Sequence, residues 1–353
     1  MLDIQCDSEN SANMKILIVR MSALGDVVMA SPLLTALKKR YPNCEIHWAI
    51  QPEFSDVIQG HELLDDLILI PKSQWKKDFK ALRFLKVWKA IRVLKKRLKN
   101  EQYDLAIDLQ GLAKSGVIVK WSHSKRKVGL NSREGSQRWM DEVVDGRQVE
   151  GAFISSEYQA MAEHLGCNTD SFEMNLPANL NVRNEDRLRQ QLPSNYWVFC
   201  PFTTRPQKHW FDQSWQELAK LMSAEQAVVV LGGPGDTLAA EQLMQNMPKS
   251  VVNLVGQTRI QEAFNVIRHS TGVIGVDTGL THAGIAENKP TLALFGSTLP
   301  YSNARHDNAK VLYHKLDCSP CRRSPTCEGR FDCMRALTPE YVYQEWLKIR
   351  EMS

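Results

Sequence analysis

The chain has 353 residues, of which 43% are hydrophobic and 24% are charged, and its formal net charge is only +4. This composition is typical of a globular protein with two domains of ordinary size, and it excludes a disordered chain. So small a net charge does not favour a general nucleic-acid binder.

The first residues contain no charged stretch followed by an apolar run, so the sequence predicts no signal peptide. No apolar run reaches the roughly 18 residues that a membrane-spanning helix needs. Residues 1–13 precede the first patterned segment and are predicted to form a loose tail. We therefore expect a cytoplasmic protein.

In chain order, the first half contains apolar runs typical of buried strands, at 15–20, 45–50, 66–70 and 104–109. Helical patterns lie between or after these runs, at 26–39, 80–99 and 113–121. Short strands that alternate with helices predict a parallel sheet.

The second half repeats this alternation, with strand candidates at 196–200, 227–233, 251–256, 272–277 and 291–296. Its helical patterns lie at 212–223, 236–246, 260–269 and 279–287, and a last helix follows Thr338 and Pro339. The sequence therefore predicts an α/β protein with two doubly wound domains in tandem. Such sheets bind ligands beyond the carboxyl ends of their strands.

A polar, proline-bracketed stretch at 176–196 marks the predicted boundary between the two domains. We expect an N-terminal domain at 14–180, a linker at 181–195 and a C-terminal domain at 196–335. Residues 336–353 would form the terminal helix.

One candidate catalytic residue follows the first predicted strand. In "VRMSALGDVVMASPLLTAL" (19–37), a turn of small residues brings Asp26 to the start of a helix. Asp26 is either the N-cap of that helix or a general base. The stretch lacks the GxGxxG fingerprint, which argues against a dinucleotide site.

Two loops of the second half favour a phosphate-bearing ligand. In "CPFTTRPQKHW" (200–210), the hydroxyls of Thr203 and Thr204 and the ammonium of Lys208 suit a diphosphate. In "LGGPGD" (231–236), glycines allow close backbone approach and Asp236 is a candidate ribose contact. The alternatives are a solvated loop at Lys208 and an ordinary helix cap at Asp236.

A third stretch, "IGVDTGLTHAGIAENKP" (274–290), joins a predicted strand to a helix that starts near Thr278 and Gly279. The free N–H groups at such a helix start attract anions. His282 lies one turn later on the side of Thr278. Asp277 either caps the helix or binds sugar hydroxyls.

Three stretches together resemble glycosyltransferase family 9, the bacterial lipopolysaccharide heptosyltransferases: "MKILIVRMSALGDVVMASP" (14–32), "TTRPQKHW" (203–210) and "VDTGLTHAGIAENKPTLALFG" (276–296). The resemblance covers most of the chain, and VDTGLTH is its most specific part. It implies the GT-B fold, in which two Rossmann-like domains face each other across a cleft that holds the active site. It also implies that the terminal helix packs back toward the N-terminal domain.

The resemblance implies an inverting transfer of L-glycero-D-manno-heptose from ADP-heptose to the lipopolysaccharide inner core, Kdo-lipid A or heptosyl-Kdo-lipid A. Asp26 would be the general base, and Lys208 would neutralise the ADP leaving group. No metal or other cofactor is implied. The implied donor-binding residues are Thr203, Thr204, Lys208, Asp236, Thr258, Asp277, Thr278, Gly279 and His282.

One departure from the family pattern concerns the nucleotide. Close relatives that add the first heptose carry a glutamate in the loop after the second C-terminal strand, where this chain has Asp236. A transferase of the same fold that uses another nucleotide sugar is therefore an alternative.

Residues 72–99 hold twelve Lys or Arg and a single acid, Asp78, interleaved with aromatic and aliphatic residues. A basic amphipathic helix of this kind predicts contact with the inner face of the cytoplasmic membrane, where Lys76, Lys77 and Lys80 would meet the membrane or the acceptor. The alternative is a solvated helix with its apolar side in the domain core. A non-catalytic membrane-docking module is a further alternative.

Cysteines cluster near the end, in "CSPCRRSPTCEGRFDC". Reduced or partly paired thiols are favoured over structural zinc, because a second CxxC pair is missing. Cys167 and Cys200 are expected to be buried thiols. The residues of the alternative zinc site are Cys318, Cys321, Cys327 and Cys333.

Overall fold

The structure is a computed structural model that describes residues 14–132, 134–146, 151–183, 185–301, 303–321 and 323–351. The tail predicted at 1–13 lies outside these residues. Backbone proximity divides the chain into two units: the described parts of Met1–Arg147 with Ser155–Glu173, and the described parts of Gln148–Ile154 with Met174–Ser353. Within the described residues, no helix is long and apolar enough to cross a membrane.

The N-terminal unit is built on one parallel sheet. Its strands are β1 (Lys15–Val19), β2 (Glu45–Ile50), β3 (Asp66–Leu69), β4 (Leu105–Asp108), β5 (Arg126–Leu130) and β6 (Glu142–Val144). They lie in the order β3-β2-β1-β4-β5-β6, with every pair parallel. The order reverses between β1 and β4, the position at which doubly wound sheets bind ligands.

The helices of the N-terminal unit are α1 (Leu24–Ala30), α2 (Pro32–Arg40), α3 (Lys72–Lys80), α4 (Phe84–Asn100), α5 (Ala113–Ser122) and α6 (Ser156–His164). Short 3₁₀ turns lie at Pro52–Val57 and Ser136–Trp139. The central strands β1 and β4 are buried apolar runs, as expected for a parallel sheet covered on both faces.

The C-terminal unit repeats this architecture. Its strands are β7 (Tyr196–Cys200), β8 (Ala227–Val230), β9 (Val252–Asn253), β10 (Gly272–Val276), β11 (Thr291–Phe295) and β12 (Ala309–Tyr313). They lie in the order β12-β11-β10-β7-β8-β9, again all parallel. The order reverses between β7 and β10. The predicted α/β class with two doubly wound, Rossmann-like domains is confirmed.

The helices of this unit are α7 (Glu185–Gln191), α8 (Asp212–Met222), α9 (Thr237–Met244), α10 (Ile260–Arg268), α11 (Gly279–Ala286), α12 (Asp332–Arg335) and α13 (Pro339–Arg350). Short 3₁₀ turns lie at Pro206–Lys208 and Pro234–Asp236. Helix α7 occupies part of the stretch predicted as a linker at 181–195, and the second unit already resumes at Met174.

One predicted helix is broken into a pair, and another is preceded by a helix that was not predicted separately. The pattern at 26–39 is interrupted at Ser31 because Pro32 has no N–H to continue the first helix, and it occupies the first position of the second. The pattern at 80–99 is preceded by a separate helix, α3, and Leu82 between α3 and α4 has a left-handed φ of 57°. Strands β5, β6 and β12 were not predicted, because their short apolar stretches are mixed with charged or polar residues.

The terminal helix α13 belongs to the C-terminal unit. The side chains of Val342, Trp346 and Ile349 are buried in the core of the C-terminal unit. The packing of this helix toward the N-terminal domain stays a prediction. Trp346 meets Trp197 of β7 edge to face, with ring centroids 5.9 Å apart. The apolar face of α13 therefore packs against the sheet of its own unit.

Candidate active site

The N-terminal unit places Asp26 at the carboxyl end of β1, where the strand order reverses. Asp26 is the third residue of α1, and its Oδ2 accepts a hydrogen bond from the backbone N–H of Ala23 at 2.9 Å. The N-cap residue is Ala23, so Asp26 is not the N-cap itself, but it caps the start of α1 from the third helical position by accepting this bond. The carboxylate is 36% exposed and remains accessible to a hydroxyl group.

Arg20, at the end of β1, holds the other oxygen of Asp26. Its Nη2 lies 2.8 Å from Asp26 Oδ1, and its Nη1 donates to the carbonyl of Leu109 at 2.6 Å. Burial alone would lower the pKa of Arg20, but the charge of Asp26 together with Tyr158 and Glu157 outweighs burial and raises the pKa. Arg20 therefore stays charged and orients Asp26. Arg20 was not predicted as a site residue, although an arginine directly after a buried strand can be recognised in the sequence.

In the C-terminal unit, the loops after β7 and β10 meet where the strand order reverses. They bring together Lys208 and Asp277, whose ammonium and Oδ2 form an ion pair. His282 Nε2 lies 3.4 Å from Asp277 Oδ1. Both partners of the ion pair are mostly buried, with about one seventh of each side chain exposed. The structure thus unites three of the predicted donor-binding residues.

Two further side chains complete this cluster and were not predicted. Thr298, just after β11, donates from Oγ1 to Asp277 Oδ2 at 2.7 Å. The hydroxyl of Tyr301 lies 3.3 Å from His282 Nδ1. Both residues follow β11, the strand next to β10. A loop with hydroxyl side chains directly after that strand could have indicated them in the sequence.

Asp277 is ionised in this setting. Burial alone would raise its pKa, but the hydrogen bond with His282 and the charge of Lys208 outweigh burial and lower the pKa well below its usual range. The carboxylate is therefore negative at any physiological pH. It can hold Lys208 in place or accept hydrogen bonds from sugar hydroxyls.

The turn from β10 into α11 has a fixed geometry. Thr281 Oγ1 donates to the carbonyl of Val276 at 2.7 Å. A Cβ at Gly275 would lie 2.1 Å from Thr281 Oγ1, so only glycine allows Thr281 to approach the strand this closely. Thr278 is the N-cap of α11, and within the described residues its side chain does not cap the helix. The first N–H groups of α11 are thus available to an anion beside Lys208.

The remaining predicted donor-binding residues lie on loops at the same edge of the C-terminal sheet. Thr203 is half-buried and its carbonyl accepts from His209 Nε2 at 2.7 Å, while Thr204 is exposed. Asp236 Oδ2 accepts from the N–H of Gly233 at 2.8 Å and so caps its own turn. Thr258 is half-buried and precedes the N-cap of α10.

The cysteine cluster does not form a recognisable metal site. Within the described residues, no group of three or more His, Cys, Asp or Glu side chains is arranged to hold a metal ion. Cys327 and Cys333 are buried, and Cys318 is exposed. Burial raises the pKa of Cys321 and of Cys333. Cys167 and Cys200 are buried free thiols, as expected.

The chain is similar to known proteins along most of its length. The model of glycosyltransferase family 9 (heptosyltransferase) matches residues 91–331. Lipopolysaccharide heptosyltransferase 1 of Pseudomonas aeruginosa is 28% identical over 357 residues, which cover 93% of this chain and 96% of that protein.

Solved structures show the same fold. The E. coli heptosyltransferase WaaC with ADP-2-deoxy-2-fluoro heptose has a TM-score of 0.72 at 23% identity, covering 95% of this chain and 99% of that chain. A glycosyl transferase family 9 structure from Veillonella parvula has a TM-score of 0.78 at 18% identity, covering 96% and 98% of the two chains. The predicted GT-B class is confirmed by these neighbours.

Proposed function

The chain belongs to glycosyltransferase family 9 (heptosyltransferase), and from this membership we propose that it transfers L-glycero-D-manno-heptose from ADP-heptose to the lipopolysaccharide inner core. The acceptor is Kdo-lipid A or heptosyl-Kdo-lipid A. A relative that matches almost end to end is named lipopolysaccharide heptosyltransferase 1, and a fold neighbour holds an ADP-heptose analogue.

The ion pair of Lys208 with Asp277 at the start of α11 is the observation that carries the proposal. The diphosphate of the donor would bind the N–H groups at the start of α11 and the ammonium of Lys208. Thr203, Thr204, Thr278 and Gly279 would line the phosphates. The site combines a cation, a helix start and hydroxyl groups, which is the chemistry that a sugar diphosphate requires.

Asp277 and His282 would hold hydroxyls of the heptose or phosphate oxygens. Asp277 is the charged acceptor of this pair, and His282 is oriented by Tyr301. Asp236 and Thr258 would contact the nucleoside. The cap that Asp236 already makes to Gly233 leaves its second oxygen for a ribose hydroxyl.

In the reaction, Asp26 would remove the proton from the acceptor hydroxyl while that oxygen attacks the anomeric carbon. The new C–O bond forms as the bond from the anomeric carbon to the phosphate oxygen breaks, so the configuration inverts. ADP leaves with the electron pair, and Lys208 neutralises the developing charge. We assign no metal ion to the step, because Lys208 and the start of α11 supply the positive charge.

Calorimetric titration with ADP-heptose, UDP-glucose and GDP-mannose tests the donor. We expect the protein to bind ADP-heptose and to show at least tenfold weaker binding of the other two, an energy difference of about 1.4 kcal/mol. Equal binding of all three would move the proposal to another nucleotide sugar. Mass analysis of Kdo-lipid A and heptosyl-Kdo-lipid A after incubation with ADP-heptose then identifies the acceptor.

We also propose that the enzyme works at the inner face of the cytoplasmic membrane, with Lys76, Lys77 and Lys80 of α3 near the anionic surface. All three are exposed. Each basic residue near such a surface contributes about 1 kcal/mol, so changing all three to glutamate should weaken binding to anionic liposomes at least about a hundredfold.

The matched control for the lysine triple changes Lys120, Lys220 and Lys249 to glutamate, because these three are also exposed and alter the net charge equally. Liposome flotation measures both triple variants. An equal loss of liposome binding in the two triple variants would show that only net charge matters. Unchanged liposome binding of the α3 variant would show that α3 does not contribute to membrane binding.

A further inference from the structure

The helices α3 and α4 expose an unusual amount of apolar surface. Leu82 is 74% exposed and Leu85 is 76% exposed, and three aromatic side chains nearby are also about half exposed or more. We call this set the apolar tip; its members are Phe79, Leu82, Phe84, Leu85 and Trp88. Large apolar groups clustered in this way mark an interaction surface.

The helices on both sides of the apolar tip are anchored in the core of the N-terminal unit. Trp75 of α3 packs against the core of the N-terminal unit, and Leu94 and Leu98 of α4 are buried in it. Between these anchors, Phe79 and Phe84 meet edge to face across the turn, with centroids 4.9 Å apart. The tip is therefore supported from both sides by the domain core and by its own aromatic contact.

The exposed charge of the segment is positive because its single acid is covered by two of its basic side chains. Asp78 is buried and lies 3.1 Å from Lys86 and 3.5 Å from Arg83. Arg92 stacks over Trp88 at 5.3 Å from the ring centroid. The exposed surface thus offers lysine and arginine side chains with interleaved large apolar groups.

A bilayer with anionic lipids matches both properties. Its phosphates attract the basic side chains, and its acyl region accepts the leucine and phenylalanine side chains, while tryptophan prefers the boundary between them. Lysine stems can lie along the apolar region with their ammonium groups at the phosphates. A folded protein partner would need an acidic rim around an apolar hollow, which is a more demanding match.

We infer that the apolar tip inserts into the bilayer, so that the enzyme is anchored by penetration as well as by electrostatic adsorption. The inference rests on the proposed function in one respect, since an acceptor with a lipid anchor requires the enzyme to work at a bilayer. It goes further by assigning the anchor to particular apolar side chains between α3 and α4.

The test replaces two leucines of the tip without changing charge, as Leu82→Ser with Leu85→Ser. The matched control is Leu238→Ser on α9, because Leu238 is 76% exposed in the other unit. Partition of the 353-residue chain into vesicles of phosphatidylglycerol mixed with phosphatidylcholine is measured at low and at high salt.

We expect the double variant to partition about tenfold to a hundredfold less than the wild type, and the control to be unchanged. At high salt the wild type should keep residual binding that the double variant loses, because salt screens adsorption but not insertion. Unchanged partition of the double variant would overturn the inference. If the wild type forms a dimer that the double variant does not form, and partition is unchanged, the inference is also overturned. The tip would then bind a second copy of the chain.

Titration of the same double variant with ADP-heptose separates this inference from the proposed function. Donor binding is expected to equal that of the wild type, because the donor residues lie in the C-terminal unit. Normal donor binding with unchanged vesicle partition rejects only the insertion. If the leucine substitutions reduce vesicle partition but the wild type does not bind ADP-heptose, only the proposed function is rejected.

Discussion

Replacing Asp26 by asparagine is expected to lower kcat for heptose transfer by about 10²- to 10⁴-fold, the usual contribution of a general base. The amide keeps the shape of the side chain, but it cannot take a proton from the acceptor hydroxyl. Donor affinity should stay unchanged because the donor would bind in the C-terminal unit. Steady-state kinetics and calorimetry with ADP-heptose measure the two quantities separately.

The control for Asp26→Asn is Asp66→Asn. Asp66 also pairs with an arginine, Arg97, and is 38% exposed where Asp26 is 36% exposed. Both variants lose one carboxylate–guanidinium pair, and Asp26→Asn should lower the melting temperature more, because its partner Arg20 is 10% exposed whereas Arg97 is 43% exposed. A rate loss confined to Asp26→Asn supports catalysis by this residue, and equal losses in the two variants would refute it.

Lys208→Ala is expected to lower kcat/KM by about 10²- to 10³-fold, comparable to the removal of one charged or polar group that stabilises a transition state. The ammonium would be lost from the diphosphate. In addition, the buried carboxylate of Asp277 would keep Thr298 and His282 as its partners among the described residues and would repel the donor phosphates. Calorimetry with ADP-heptose should show affinity at least tenfold weaker, since hydrogen bonds to charged groups contribute about 1.5–3 kcal/mol.

A second substitution separates the two causes. Lys208→Ala combined with Asp277→Asn removes the repulsion and should recover part of the affinity, but not of kcat. The matched control is Lys310→Ala, since Lys310 also pairs with a buried carboxylate, Glu345, in the same unit. Normal donor affinity in Lys208→Ala would remove Lys208 from the donor site.

The strands that carry the site were predictable from the sequence. A parallel strand covered on both faces must be an apolar run, and β1, β7 and β10 are such runs. The residues that follow them, Asp26 and Asp277 among them, must then lie at the ligand-binding edge of a sheet. Candidate positions thus followed from chain order alone.

Local backbone detail was only partly predictable. Pro32 announces the break between α1 and α2, because proline cannot donate the hydrogen bond that would continue a helix. Nothing in the side chain of Leu82 announces a left-handed residue between α3 and α4. Strands β5 and β12 were missed because charged and polar residues interrupt their apolar pattern.

The sequence by itself therefore determined which residues are candidates, since periodicity and motifs depend on neighbours along the chain. Only the tertiary structure decided which candidates meet. Lys208 reaches Asp277 because β7 lies beside β10, and that order is set by packing of crossover helices and not by spacing. Likewise, an amphipathic pattern fits a domain core or an exposed surface equally well, and the exposure of Leu82 and Leu85 places these two side chains at the surface.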